Sequence, residues 1–108
     1  MILTDLRTTA VLFFKAAVAA ADPKLSLRRA LQENPLPTND DGQIILIAFG
    51  KASVALMEEA LNHIPAGKTY KALAVTNYEN FQFIDGCEVH ASGHPVPDEN
   101  GASAAIRV

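Results

Sequence analysis

With 108 residues, 49% hydrophobic and 19% charged, the chain can fill one small core and is too apolar to be disordered. A net charge of −3, with no Lys/Arg run, provides no positive field of the kind that holds nucleic acid. The single cysteine, Cys87, permits no internal disulfide and points to a reducing compartment. Its expected role is a small buried thiol near a strand, and no His/Cys cluster has zinc-ligand spacing.

Leu3, Leu6, Ala10, Phe13, Ala17 and Ala21 recur at spacings of three and four, which predicts an amphipathic helix from Thr4 to Ala21. Arg7 followed by Val11–Phe14 has the outline of a secretory leader, but Lys15 interrupts the apolar run and Asp5 lies in its basic segment. No run reaches the length of a membrane span. The expectation is a cytoplasmic protein with neither membrane nor nucleic acid as partner. Asp22-Pro23 supplies an N-cap and a first-turn proline for a second helix reaching Glu33. Asn34-Pro35-Leu36-Pro37 ends it, and Thr38–Gly42 reads as a polar turn.

Gln43–Ser53, Q-I-I-L-I-A-F-G-K-A-S, carries the strongest signal. Its apolar run predicts a strand over 43–49 covered on both faces. Gly50 permits a tight turn into a helix over 51–63, with Val54, Met57, Leu61 and Ile64 on its apolar side, closed by Pro65-Ala66-Gly67. Lys51 therefore falls at the carboxyl end of a strand and beside a helix N-terminus. Open α/β sheets bind ligands at that edge, and free amides with the helix dipole favour an anion. The phosphate-loop pattern is not met, because Ile45 replaces its first glycine and Ala52 follows the lysine; the dinucleotide pattern G-x-G-x-x-G is absent too. A cation at a helix N-terminus opposes the dipole by about 0.3–1 kcal/mol. Lys51 is thus either a solvated first-turn side chain or the ligand of a phosphate or carboxylate.

Lys71–Thr76 reads as a second strand and Cys87–Ala91 as a third. Asn77–Gly86 between them is a loop or partial hairpin, whose Tyr78, Phe81 and Phe83 are loop anchors, since no basic residue interleaves them. Strands separated by helices predict parallel order with right-handed crossovers. The fold class is α/β, a Rossmann-like three-layer domain with a parallel sheet. Ser92–Gly101, S-G-H-P-V-P-D-E-N-G, holds His94 on a stiff segment: Pro95 and Pro97 fix their own φ, and Gly93 allows an unusual backbone angle. The His94 imidazole can contact a ligand, and Asp98 caps a helix starting near Glu99. So short a final helix and a sheet with bare edges lead to two expectations: the chain is the N-terminal portion of a larger protein, and it tends to form homo-oligomers.

G-K-A-S after the first strand, V-T-N-Y after the second and G-H-P-V-P-D-E after the third, with the opening L-R-T-T-A-V-L-F-F-K-A-A-V-A-A-A-D-P, resemble one family. It is the glycerate 2-kinases, also known under the name hydroxypyruvate reductase, and the resemblance to their N-terminal domain spans nearly the whole chain. The resemblance implies ATP-dependent phosphorylation of D-glycerate at its 2-hydroxyl to give 2-phosphoglycerate, with magnesium. It implies a further domain that closes over the cleft and shares an arginine in catalysis. It carries Lys51 as the catalytic residue. From its local setting Lys51 is expected to face the transferred phosphoryl group or the glycerate carboxylate, with the amides around Gly50–Ser53 and with His94 as substrate contacts. Asn77 stands where many relatives have a basic residue, and the loop Tyr78–Asp85 is individual to this chain. Two other functions stay open: an NAD(P)H-dependent hydroxypyruvate reductase, against which the missing glycine fingerprint argues, and a non-catalytic domain binding sugar phosphates or other anions.

Overall fold

The computed structural model describes residues 2–38 and 41–108; Asn39 and Asp40 of the expected turn at Thr38–Gly42 lie outside them. The elements follow in the order α1 (Leu3–Ala20), α2 (Pro23–Glu33), β1 (Ile44–Phe49), α3 (Ser53–Leu61), β2 (Tyr70–Asn77), β3 (Glu88–Ser92) and α4 (Glu99–Arg107). The Asn77–Gly86 segment forms no hairpin; it opens with a single 3-10 turn at Tyr78–Asn80. The strands make one parallel sheet ordered β1-β2-β3, with Ile44 opposite Tyr70 and Leu73 opposite Glu88.

Pleating sorts the side chains between two faces. Leu46, Ala48, Ala74 and Thr76 face α3, where Met57 (1% exposed), Ala74 (0%) and Thr76 (2%) form the centre of the core. Removing a side chain the size of Met57 from water contributes about 1.5–3 kcal/mol. The other face carries Leu73, Glu88, His90 and Ser92 beneath α4, anchored by Ala104 and by two bonds of 2.8 Å from the Arg107 guanidinium to Glu88. Helices on opposite faces of a parallel sheet make the α/β layering that strand–helix alternation predicts.

α2 begins as its sequence dictates: Asp22 Oδ1 accepts from the amides of Lys24 (2.9 Å) and Leu25 (3.2 Å). It is tied to α3 through charge. Arg28 grips Glu59 by two bonds of 2.8 and 3.0 Å, His63 lies 3.0 Å from the same carboxylate, and Lys24 meets Glu58 at 2.6 Å. With Arg28 first and His63 second, this grip holds Glu59, itself buried, down at a pKa of about 2.

Two expectations are corrected. β1 is covered on one face only among the described residues: Ile45, Ile47 and Phe49 alternate with its inward residues and stand exposed. The period-3.6 stripe of α1 does form a helix, but none of its residues is buried, and Leu6, Phe13 and Phe14 face solvent. Periodicity reported the helix and could not report whether a partner lies within the chain. The molecule is correspondingly extended, with a radius of gyration of 18.1 Å against about 13 Å for a compact domain of this length. No helix among the described residues is long and apolar enough to cross a membrane.

Candidate functional site

The site is built on the turn from β1 to α3. Gly50 sits at φ +111°, a conformation that side chains rarely adopt. Its amide donates to the Val75 carbonyl at 3.0 Å, and the Ser53 hydroxyl donates to the same carbonyl at 3.0 Å, so one oxygen of β2 pins both ends of the turn. The Ser53 amide donates to Gly50 O at 3.2 Å. The helix thus starts at Ser53, two residues later than its apolar pattern predicts. Residue 52 at the cap is alanine, whose side chain cannot accept a hydrogen bond. Among the described residues, the amides of Lys51 and Ala52 have no backbone partner, and no carboxylate pairs with the exposed Lys51 ammonium.

A cleft of about 210 Å³ lies over this turn, at the carboxyl ends of all three strands. Gly50 and Lys51 line it from β1, Thr76 and Asn77 from β2, and Ser92 and His94 from β3. Ligand pockets usually span about 300–1,000 Å³, so these residues suit a small anion rather than a whole nucleotide. Three of the four residues expected in the site therefore meet there. Ser53 does not line the cleft; it is fully buried, with its hydroxyl committed to Val75, and it shapes the turn from behind. Asn77 is held by a local network, accepting from Asn80 (2.8 Å) and Thr76 (3.3 Å) and donating to Glu79 (2.9 Å). It presents a neutral amide where a cation would add a second positive charge.

The β3–α4 loop forms the opposite wall. Asp98 caps α4 as its position predicts, accepting from the Gly101 amide at 3.0 Å. It also accepts from the Tyr78 hydroxyl, and Asn100 donates to the Tyr78 oxygen at 2.9 Å. These donors, Tyr78 foremost, lower the Asp98 pKa, while the neighbouring carboxylate raises that of Tyr78. Gly93 serves a different need from the expected one. Its φ is not positive, but a Cβ there would lie 2.5 Å from the Val96 carbonyl oxygen and 2.9 Å from Asp98 Oδ2. Lack of room, not an unusual angle, requires glycine. Cys87 lies outside the cleft, half-buried, and burial raises its thiol pKa, which makes it a poor nucleophile.

Comparison with known proteins gives a consistent picture. The family model described as "Domain of unknown function (DUF4147)" matches residues 9–108. A D-glycerate 2-kinase of Thermotoga maritima is 35% identical over 105 residues, 96% of this chain and 24% of its own length. A protein of Agrobacterium vitis, named provisionally a hydroxypyruvate reductase, is 34% identical over 95 residues, 88% of this chain and 20% of its own. The crystal structure of a glycerate kinase from Thermotoga maritima superposes with a TM-score of 0.75 at 32% identity, over 96% of this chain and 24% of that one. The chain spans about a quarter or less of the length of these relatives.

Proposed function

The chain belongs to the DUF4147 family, and from that premise we propose that its protein acts as a glycerate 2-kinase, phosphorylating D-glycerate at the 2-hydroxyl to give 2-phosphoglycerate. The observation that carries the reading is the Lys51 ammonium, unpaired among the described residues, beside amides without a backbone partner at the strand-edge cleft. The names of the Thermotoga maritima relatives support the substrate.

Phosphoryl transfer asks a protein mainly for position and charge neutralisation. Bound ATP supplies the phosphoryl group: the 2-hydroxyl oxygen bonds to the γ-phosphorus, the bond from that phosphorus to its bridging oxygen breaks, ADP leaves, and the hydroxyl proton is released. Lys51 and the amides of Lys51 and Ala52 hold a negatively charged group, either the phosphoryl in transfer or the glycerate carboxylate. A unit charge pair at 4 Å is worth about 1 kcal/mol in water and about 4 kcal/mol at an effective dielectric of 20. Exposed as it is here, Lys51 sits near the lower figure, and covering the cleft would bring it toward the higher one. His94, across the cleft, orients the substrate. No group of three or more His, Cys, Asp or Glu side chains among the described residues could hold a metal ion. Magnesium is therefore assigned no ligand from these residues. A cytoplasmic location is part of the proposal, on the ground that the single cysteine can form no internal disulfide.

The test is Lys51→Ala in the complete gene product, assayed for ATP- and D-glycerate-dependent formation of 2-phosphoglycerate. Turnover should fall at least about a hundredfold, the range lost with one transition-state donor, while the fold stays intact. Near wild-type turnover rejects the assignment. The name of the Agrobacterium vitis relative favours a second reading, reduction of hydroxypyruvate, whose carboxylate would suit the same lysine. Hydroxypyruvate-dependent loss of NADH absorbance would select it. Saturable anion binding with neither activity would select a binding domain.

A further inference from the structure

Asp98 takes more hydrogen bonds than a helix cap needs. Capping uses only the bond from Gly101. From outside α4, the Tyr78 hydroxyl just beyond the end of β2 donates to Asp98, and Gly93, just beyond the end of β3, packs against it. Burial does not compel the first, because Tyr78 is 47% exposed and water could satisfy its hydroxyl. The Asn100 side chain nevertheless fixes the same oxygen from a second side at 2.9 Å. The loop meanwhile folds so tightly on Gly93 that no Cβ fits between Val96 and Asp98. Residue 94 follows directly on this fixed point, and residue 77 immediately precedes Tyr78; both line the cleft.

We propose that Tyr78 and Asp98 are positioning residues: their hydrogen bond ties the β2 wall of the cleft to the β3 wall and holds His94 toward a bound anion. The role assigned to His94 rests on the glycerate reading; the tie itself does not. Its chemical logic is preorganisation, since a donor that must be ordered on binding gives back part of its interaction in lost conformational freedom.

The experiment uses nuclear magnetic resonance on the complete gene product, comparing wild type with Tyr78→Phe and with Asn100→Ala, which removes only the donor to the tyrosine oxygen. In the wild type the Gly93 and His94 amides should have order parameters near 0.85, falling below about 0.6 in Tyr78→Phe. Asn100→Ala should lower them by a smaller amount. The Lys51 and Ala52 amides and the melting temperature should hardly change, which separates a local tie from general destabilisation. Inorganic phosphate and D-glycerate are then titrated separately. Each should shift the Lys51, Ala52 and His94 signals in wild type, with the His94 response reduced about threefold or more in Tyr78→Phe. Unchanged order parameters at residues 93 and 94 in Tyr78→Phe overturn the tie. Lowered order parameters with an undiminished His94 response overturn its bearing on the ligand. Should neither anion move Lys51 or Ala52 in wild type, the glycerate reading fails while the relaxation data still decide the tie.

Discussion

Gly50 and Gly93 flank the same cleft, yet they are glycine for opposite reasons. A Cβ at Gly50 would meet nothing within 4 Å, so any substitution there is opposed by the backbone alone. Holding a non-glycine residue in such a sparsely populated region costs about 1–3 kcal/mol. Gly50→Ala should destabilise the chain by that amount, measured by calorimetry, and should loosen the presentation of Lys51 without removing its charge. A cost near zero would mean that the turn is not strained at residue 50. The sequence made this residue legible, because an apolar run that stops at glycine and lysine can hardly be anything but a strand turning into a helix. The need at Gly93 was not legible. It depends on Val96 and Asp98 folding back onto it, which spacing does not report. Ser53 was expected to offer its amide to the anion, but that amide donates to Gly50 O and the hydroxyl to Val75 O, because the turn closes before the helix starts.

Charged pairs reinforce the joint between α2 and α3, where Leu27 also lies beside Leu56, Met57 and Ala60, and they help to seat α4. Arg28 and His63 converge on Glu59, while Arg107 and His90 converge on Glu88. Both glutamates are drawn from an ordinary value of 4.5 to about 2, chiefly by the guanidinium bonds. A carboxylate whose pKa is lower in the folded state contributes stability that is complete above its unfolded pKa. That contribution should drain away as pH falls from about 4.5 toward 2. Amide signals of α2 and α4 should therefore lose dispersion in that window. Glu59→Gln should flatten the profile for α2, and an unaltered profile would remove Glu59 from the account. Hydrophobic periodicity and capping residues located every helix and strand to within about two residues. The Arg28–Glu59 and Arg107–Glu88 pairings are 31 and 19 residues apart in sequence, and only the assembled layers bring them together.

The whole molecule exposes 7,733 Å², whereas a compact protein of its mass would expose about 5,800 Å². The excess is concentrated where α1 and the outer face of β1 present leucine, isoleucine and phenylalanine to solvent. Apolar surface on that scale drives association. Sedimentation of the isolated chain should show a mass that rises with concentration, and Ile47→Asp should suppress the rise; a strict monomer at all concentrations would contradict this. The projecting first helix also distorts any spectroscopic thermometer applied to the protein. It supplies 18 helical residues against 11, 9 and 9 in the other three helices, yet buries none of them. Ellipticity near 222 nm is thus weighted toward a segment that can fray alone, and a melting curve recorded there describes that segment before it describes the sheet on which the lysine is mounted.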